Sequence, residues 1–139
     1  MENNDICSYE LSLALKKAGF DEPCNFYYTK EDAPDGAVWF TGDPRNPQDY
    51  NHLQDDCPFA KSICSAPLLY HAQKWLREKK EIFVEVTSET LHDWDFFVME
   101  LDEDTNIGVV RGSEIYPSYE QALSAGIAAA LELIKPAHQ

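Results

Sequence analysis

Glu81–Arg111, reading EIFVEVTSETLHDWDFFVMELDEDTNIGVVR, decides the fold class. Ile82, Val84 and Val86 alternate with Phe83, Glu85 and Thr87, which is the two-residue period of a strand with one wetter face. Trp94 to Leu101 reads as a second strand and Ile107 to Arg111 as a third, with Asp102-Glu103-Asp104-Thr105-Asn106 turning the chain between them. Short turns between successive strands imply antiparallel pairing.

Amphipathic helices flank this block on both sides. Upstream, Ser65-Ala66-Pro67 reads as a helix start with Ser65 as N-cap, and Leu68, Leu69, Ala72, Trp75 and Leu76 form the apolar stripe. Lys74, Arg77, Lys79 and Lys80 gather in its last half, where the helix dipole favours cations. Downstream, Ser118-Tyr119-Glu120-Gln121 has the form of a capping box, and Tyr119, Ala122, Leu123, Gly126, Ile127, Ala130, Leu131 and Ile134 recur at helical spacing until Pro136. Gly126 on that apolar face predicts a close approach of backbone to sheet.

Nearer the N-terminus, Leu11, Ala14, Leu15 and Ala18 follow helical spacing and Gly19 supplies a stop, with Asp5 and Ser8 both suited to cap the start. Cys24–Thr29 and Ala37–Phe40 read as strands joined through Pro34 and Asp35-Gly36 as a hairpin. Thr41 to Ile63 carries Pro44, Pro47 and Pro58 among Gly, Asn and Asp and is the least structured stretch. The expectation is a single α+β domain over 1–139 in two layers, with three helices on one side of a mostly antiparallel sheet of four to five strands.

A chain of 139 residues with 44 % hydrophobic and 12 % aromatic residues can build a core, which argues against disorder despite a net charge of −14. No apolar run approaches the roughly 20 residues of a membrane span, and the N-terminus is acidic rather than that of a secretory leader. These features predict a cytoplasmic protein. The excess of 25 acids over 11 Lys and Arg disfavours direct nucleic-acid binding.

Four cysteines without a secretory context read as reduced thiols. His52, Cys57, Cys64 and His71 have the donor set of tetrahedral zinc, although neither cysteine pairs with another at the tight spacing of a zinc knuckle. The plainer reading is a proline-rich loop with incidental polar residues. Cys64, placed just before a helix start, is a candidate nucleophile with His52 or His71 as base, but nothing supplies an orienting group or an oxyanion hole. The stretch from Asp102 resembles a calcium loop until its sixth and twelfth positions, which are Ile107 and Ser113 in place of Gly and Glu. Phosphate-binding, dinucleotide, nucleophile-elbow and zinc-protease motifs are all lacking.

Charge placement stands out more. From Glu81 to Val110 there are nine acids and no Lys or Arg. Glu85, Asp93, Asp95, Glu100, Asp102 and Asp104 are the candidate partner-binding residues, on a surface that docks a basic protein or imitates DNA phosphates to inhibit a nucleic-acid enzyme. The plainer alternative is an acidic surface that only prevents aggregation and edge pairing. Phe26-Tyr27-Tyr28 and Phe96-Phe97 send aromatics to both sheet faces, so either core fills both sides or one side meets a partner, a homodimer included. The competing class is a small metal-binding or cysteine-dependent enzyme centred on 41–71.

Leu15-Lys16-Lys17-Ala18-Gly19-Phe20, the helix from Ser65-Ala66-Pro67 through Trp75-Leu76, and Ala122-Leu123 with Gly126-Ile127 together resemble a group of small uncharacterised acidic proteins encoded by phages and prophages of gut bacteria. The resemblance covers most of the chain outside Thr41 to Ile63. It rests on cap and core residues, so it implies a shared fold and a bacterial or phage setting and assigns no residue a role.

Overall fold

The computed structural model describes residues 5–29, 39–40, 51, 63–101, 107–112 and 114–134. These form an α+β chain with three helices and six strands. It divides into two compact units, Ile6–Leu68 and Leu69–Gln139 with Met1–Asp5. The strands lie in two three-stranded antiparallel sheets, one in each unit, in place of the single sheet of four to five strands expected from the sequence.

In the N-terminal unit, α1 (Tyr9–Lys17) is followed by β1 (Phe26–Thr29), β2 (Trp39–Phe40) and β3 (Ile63–Ser65), with β1 central in the sheet. Ser8 caps α1 by accepting from the Leu11 N–H at 3.2 Å, which settles the choice against Asp5. The helix ends in a Schellman turn: Gly19 N–H bonds to the Lys16 carbonyl at 3.1 Å and Phe20 N–H to the Leu15 carbonyl at 2.9 Å. Gly19 takes φ +99°, a conformation that a Cβ would strain, so the stop read from the sequence has a steric cause. The expected hairpin is present, with Phe26 opposite Phe40 and Tyr27 opposite Trp39.

Ser65 is not a helix cap. It ends β3, pairs with Tyr27 and is buried. The short strand at Ile63–Ser65 lay at the border of the stretch read as a loop and of the helix start, and three residues are too few to show a period. Asn51 ties this strand to the end of α1. Its Nδ2 donates to the Phe20 carbonyl at 2.6 Å, and its Oδ1 accepts from the Ser65 N–H at 2.9 Å.

In the C-terminal unit, α2 (Leu69–Lys79), β4 (Ile82–Thr90), β5 (Asp93–Leu101), β6 (Ile107–Arg111) and α3 (Tyr119–Glu132) follow in order. Leu69, Ala72, Trp75 and Leu76 are buried on α2, and Lys80 Nζ lies 5.5 Å from the centre of the Trp75 ring. The turn into β4 places Glu81 at φ 58°, in the left-handed region. Ile82, Val84, Phe96 and Val98 are buried on one face of the β4–β5 pair. α3 lies against both strands through Ala122, Leu123, Gly126, Ile127 and Ala130, all buried. Ser118 caps α3 by accepting from the Gln121 N–H at 3.2 Å, as the capping-box pattern predicts.

Gly126 makes the close approach expected of it. A Cβ there would stand 2.6 Å from Val84 Cγ1 and 3.2 Å from the Phe96 ring. Val84 is itself fully enclosed and β-branched, so it cannot turn aside. Gly126→Ala therefore lowers stability by about 1–2 kcal/mol, because overpacking outweighs the gain in helix propensity of about 1 kcal/mol. Urea unfolding of the variant measures it. The same measurement on Asn51→Ala shows a loss of about 1–3 kcal/mol, since its bonds to Phe20 and Ser65 are removed from a half-buried position.

Candidate functional site

Two places in the structure were singled out by the sequence, the thiols and the acidic sheet. Cys7, Cys24 and Cys64 are buried. Cys64 lies within β3 opposite Tyr28, and α2 starts only at Leu69, so Cys64 does not directly precede the helix start in the chain, contrary to the expectation from the sequence. Burial pushes its thiol up to about 12, with Lys16 offsetting only part of the effect. Burial, then the neighbouring Cys24, raises the Cys7 thiol as well, against a smaller lowering by a backbone hydrogen bond. A nucleophilic cysteine needs the opposite shift.

The Cys7 backbone explains the crowding. Its carbonyl accepts from the Tyr28 hydroxyl at 2.7 Å and the Ser12 hydroxyl at 3.4 Å, while its N–H donates to the Pro67 carbonyl at 2.9 Å. Tyr28 is pushed up to about 12, by burial first and then by Cys7, Cys64 and Glu10. Tyr9 stands edge-on to the Tyr28 ring with centroids 5.7 Å apart. These groups form a core of Ile6, Tyr28, Cys64 and Ala66 with Tyr9, Leu13, Phe26 and Leu68 packed around it.

Of the four zinc candidates, His52 and Cys57 lie outside the described residues. Cys64 belongs to the N-terminal unit, and His71 is half-buried on α2 of the C-terminal one. Among the described residues no group of three or more His, Cys, Asp or Glu is placed to hold a metal ion.

The acidic candidates distribute over the β4–β5 hairpin. Glu85 is exposed and sits opposite Phe97, and Asp95 sits opposite Thr87 on the same face. Phe83 and Met99, also half-buried, face each other on that side, so carboxylates and apolar groups are mixed there. Asp95 is half-buried, and its Oδ1 accepts from the Phe96 N–H at 2.7 Å. Asp93, at the start of β5, is exposed and pairs with Thr90 across a bulge. Glu100 is opposite Ile82, on the other face. Asp102 and Asp104 lie outside the described residues. Strand alternation thus separates Glu100 from Glu85 and Asp95.

The hairpin end holds residues that the sequence reading passed over. Leu91 is 82 % exposed at the turn, and the Trp94 indole N–H donates to its carbonyl at 2.9 Å. The Trp94 ring meets the half-exposed Tyr119 ring edge-on, 5.6 Å between centroids. Trp94 exchanges both backbone bonds with Tyr116, next to Ile115, which is 68 % exposed. Glu89 and Asp93 flank Leu91 along the chain and are exposed. A large aliphatic residue at a turn, where polar residues are the rule, was the available signal. Tyr119 was absorbed into the apolar stripe of α3.

A scan against protein-family models found no match, and searches of curated proteins and of solved structures found none. No helix among the described residues is long and apolar enough to cross a membrane.

The Cys7 and Cys64 thiols carry a pH signature. In the unfolded chain they ionise near the ordinary 9.0, whereas in the fold they stay protonated well above it. The native state then holds more protons than the unfolded state, so stability is present in full below about pH 9 and falls as pH rises. Urea midpoints measured from pH 7 to 10.5 show a plateau followed by a decline of about 1.4 kcal/mol per thiol for each pH unit. Thiol-reactive reagents label Cys7 and Cys64 slowly at pH 8 and rapidly in denaturant.

Proposed function

We propose that the chain is a non-enzymatic interaction protein of bacterial or phage origin that docks a basic protein partner through the β4–β5 hairpin. The observation that carries this reading is the makeup of the hairpin's outer half. Glu85 and the run from Thr87 to Asp93 are exposed, with Glu89 and Asp93 among them and no Lys or Arg from Glu81 to Val110. An exposed Leu91 and the Trp94–Tyr119 ring pair sit at its end. Acids attract a basic surface and speed encounter, whereas apolar and aromatic anchors slow its departure. A patch with both is suited to a specific partner.

The imitation of DNA phosphates has less support, because Glu100 and Glu85 occupy opposite faces, so the acids among the described residues form no continuous row. The metal or cysteine enzyme centred on 41–71 also has less, since the buried Cys64 thiol is held protonated.

A pull-down from the native host at low salt and at about 0.5 M salt, where surface attraction is screened within a few ångströms, tests the reading. A basic protein is retained at low salt and released at high salt. The combined Glu85→Gln, Glu89→Gln, Asp93→Asn variant loses it, and Leu91→Ser weakens its retention at low salt. Retention of the same partner by the neutralised variant overturns the reading.

A further inference from the structure

The outer edge of β4 specifies how such a partner binds, an inference that rests on the reading above. β4 is an end strand, in the order β4-β5-β6. In an antiparallel ladder, residues alternate between bonding to one neighbour and bonding to the other side. The phase is settled on β5, where Trp94 exchanges bonds with Tyr116 at 2.9 and 2.8 Å and the Phe96 carbonyl accepts from the Gly112 N–H at 3.1 Å. These even-numbered residues bond on the β6 side. Their partners on β4 are Ser88, opposite Trp94, and Val86, opposite Phe96, while Val84 is opposite Val98. Those three turn their N–H and C=O groups away from the sheet.

Val84 bears this out, because its carbonyl accepts from Gln73 Nε2 of α2 at 2.7 Å. Farther along, Val86 and Ser88 have no backbone partner outside the sheet among the described residues. The chain from Thr87 to Thr90 is exposed. A register shift between Ser88 and Thr90 ends the regular edge. The result is a short open ladder, closed at one end by Gln73 and at the other by a bulge.

We propose that this edge receives an extended basic segment of the partner as an added antiparallel strand, bonded at Val86 and Ser88, with Lys or Arg side chains beside Glu85 and Glu89. Backbone groups supply the bonding, and side chains select the occupant. A second copy of the chain is a poor occupant. Laid antiparallel about Thr87, it sets Glu85 of each strand against Glu89 of the other, and like charges directly opposed destabilise a pair. A strand with cations at those positions reverses the sign.

The test uses the full-length protein, isotope-labelled, and two synthetic peptides, one alternating Lys with Val and one alternating Glu with Val. Amide exchange is followed by NMR. The Lys peptide slows exchange at Val86 and Ser88 by about tenfold or more at saturation, and the Glu peptide does not. Glu85→Gln and Glu89→Gln each weaken Lys-peptide binding about two- to fivefold. Ser88→Pro removes one outward donor at an edge position that tolerates proline and abolishes the protection at Val86. If that variant does not fold, the contrast between the two peptides on the wild-type chain decides alone. Perturbation confined to Leu91–Trp94 and Tyr119, without protection at Val86 and Ser88, overturns strand addition and leaves the docking reading standing. No response to the Lys peptide up to millimolar concentration also overturns strand addition, and the salt-dependent pull-down then judges the docking reading separately.

Discussion

Helix α3 can lie on the β4–β5 pair only because residue 126 has no side chain. The gap between its backbone and Val84 Cγ1 does not admit even a methyl group without movement. From that contact the rest of the C-terminal unit follows. The helix face bearing Ala122, Leu123, Ile127 and Ala130 is pressed onto Ile82, Val84, Phe96 and Val98, and all of them are buried. The same seating brings the first turn of α3 to the hairpin end, where Tyr119 meets Trp94. A close helix–sheet contact in the core thus decides which aromatic rings are left at the surface.

The N-terminal unit has a different centre, the backbone of Cys7. Its carbonyl takes two hydroxyls, and its N–H is tied to Pro67 across an antiparallel bridge between Ile6 and Leu68. Grouping polar atoms in this way satisfies the backbone where solvent cannot. It also surrounds the thiols with apolar surface and a tyrosine, which is the reason they are held protonated. Cysteines here act as small hydrophobes.

Elements with a long period were legible in the sequence. α1, α3, β5 and β6 lie close to where spacing puts them, and the Gly19 stop and the Ser118 cap have the geometry their residue types imply. β4 extends farther, to Thr90, because Thr87-Ser88-Glu89-Thr90 lacks the apolar alternation that marks a half-buried strand. Ser65 and Pro67 resemble a helix start locally, yet pairing with Tyr27 and the bond its N–H donates to Asn51 draw Ser65 into a strand. The number of sheets was not legible at all, since strand pairing depends on contacts between distant residues. For the site, alternation indicated that acids would share faces but not which ones. The bulge after Ser88 and the exposed Leu91 are features of the folded hairpin.

Edge strands are open to unwanted pairing, and β4 deals with this unevenly. Its first half is attended by α2 through Gln73, and its end is broken by a bulge. Among the described residues, the interval between, Glu85 to Ser88, is guarded by charge. Charge of one sign is a selective guard. It repels a chain of net charge −14 from itself, but it has no such effect on a basic strand. A lysine at the same place, the commoner device, would exclude copies of the chain equally well. Glutamate does so while leaving a surface that attracts cations. The choice of sign therefore carries information that self-avoidance alone does not require, and Leu91, Trp94 and Tyr119 gather at the hairpin end that follows Thr90.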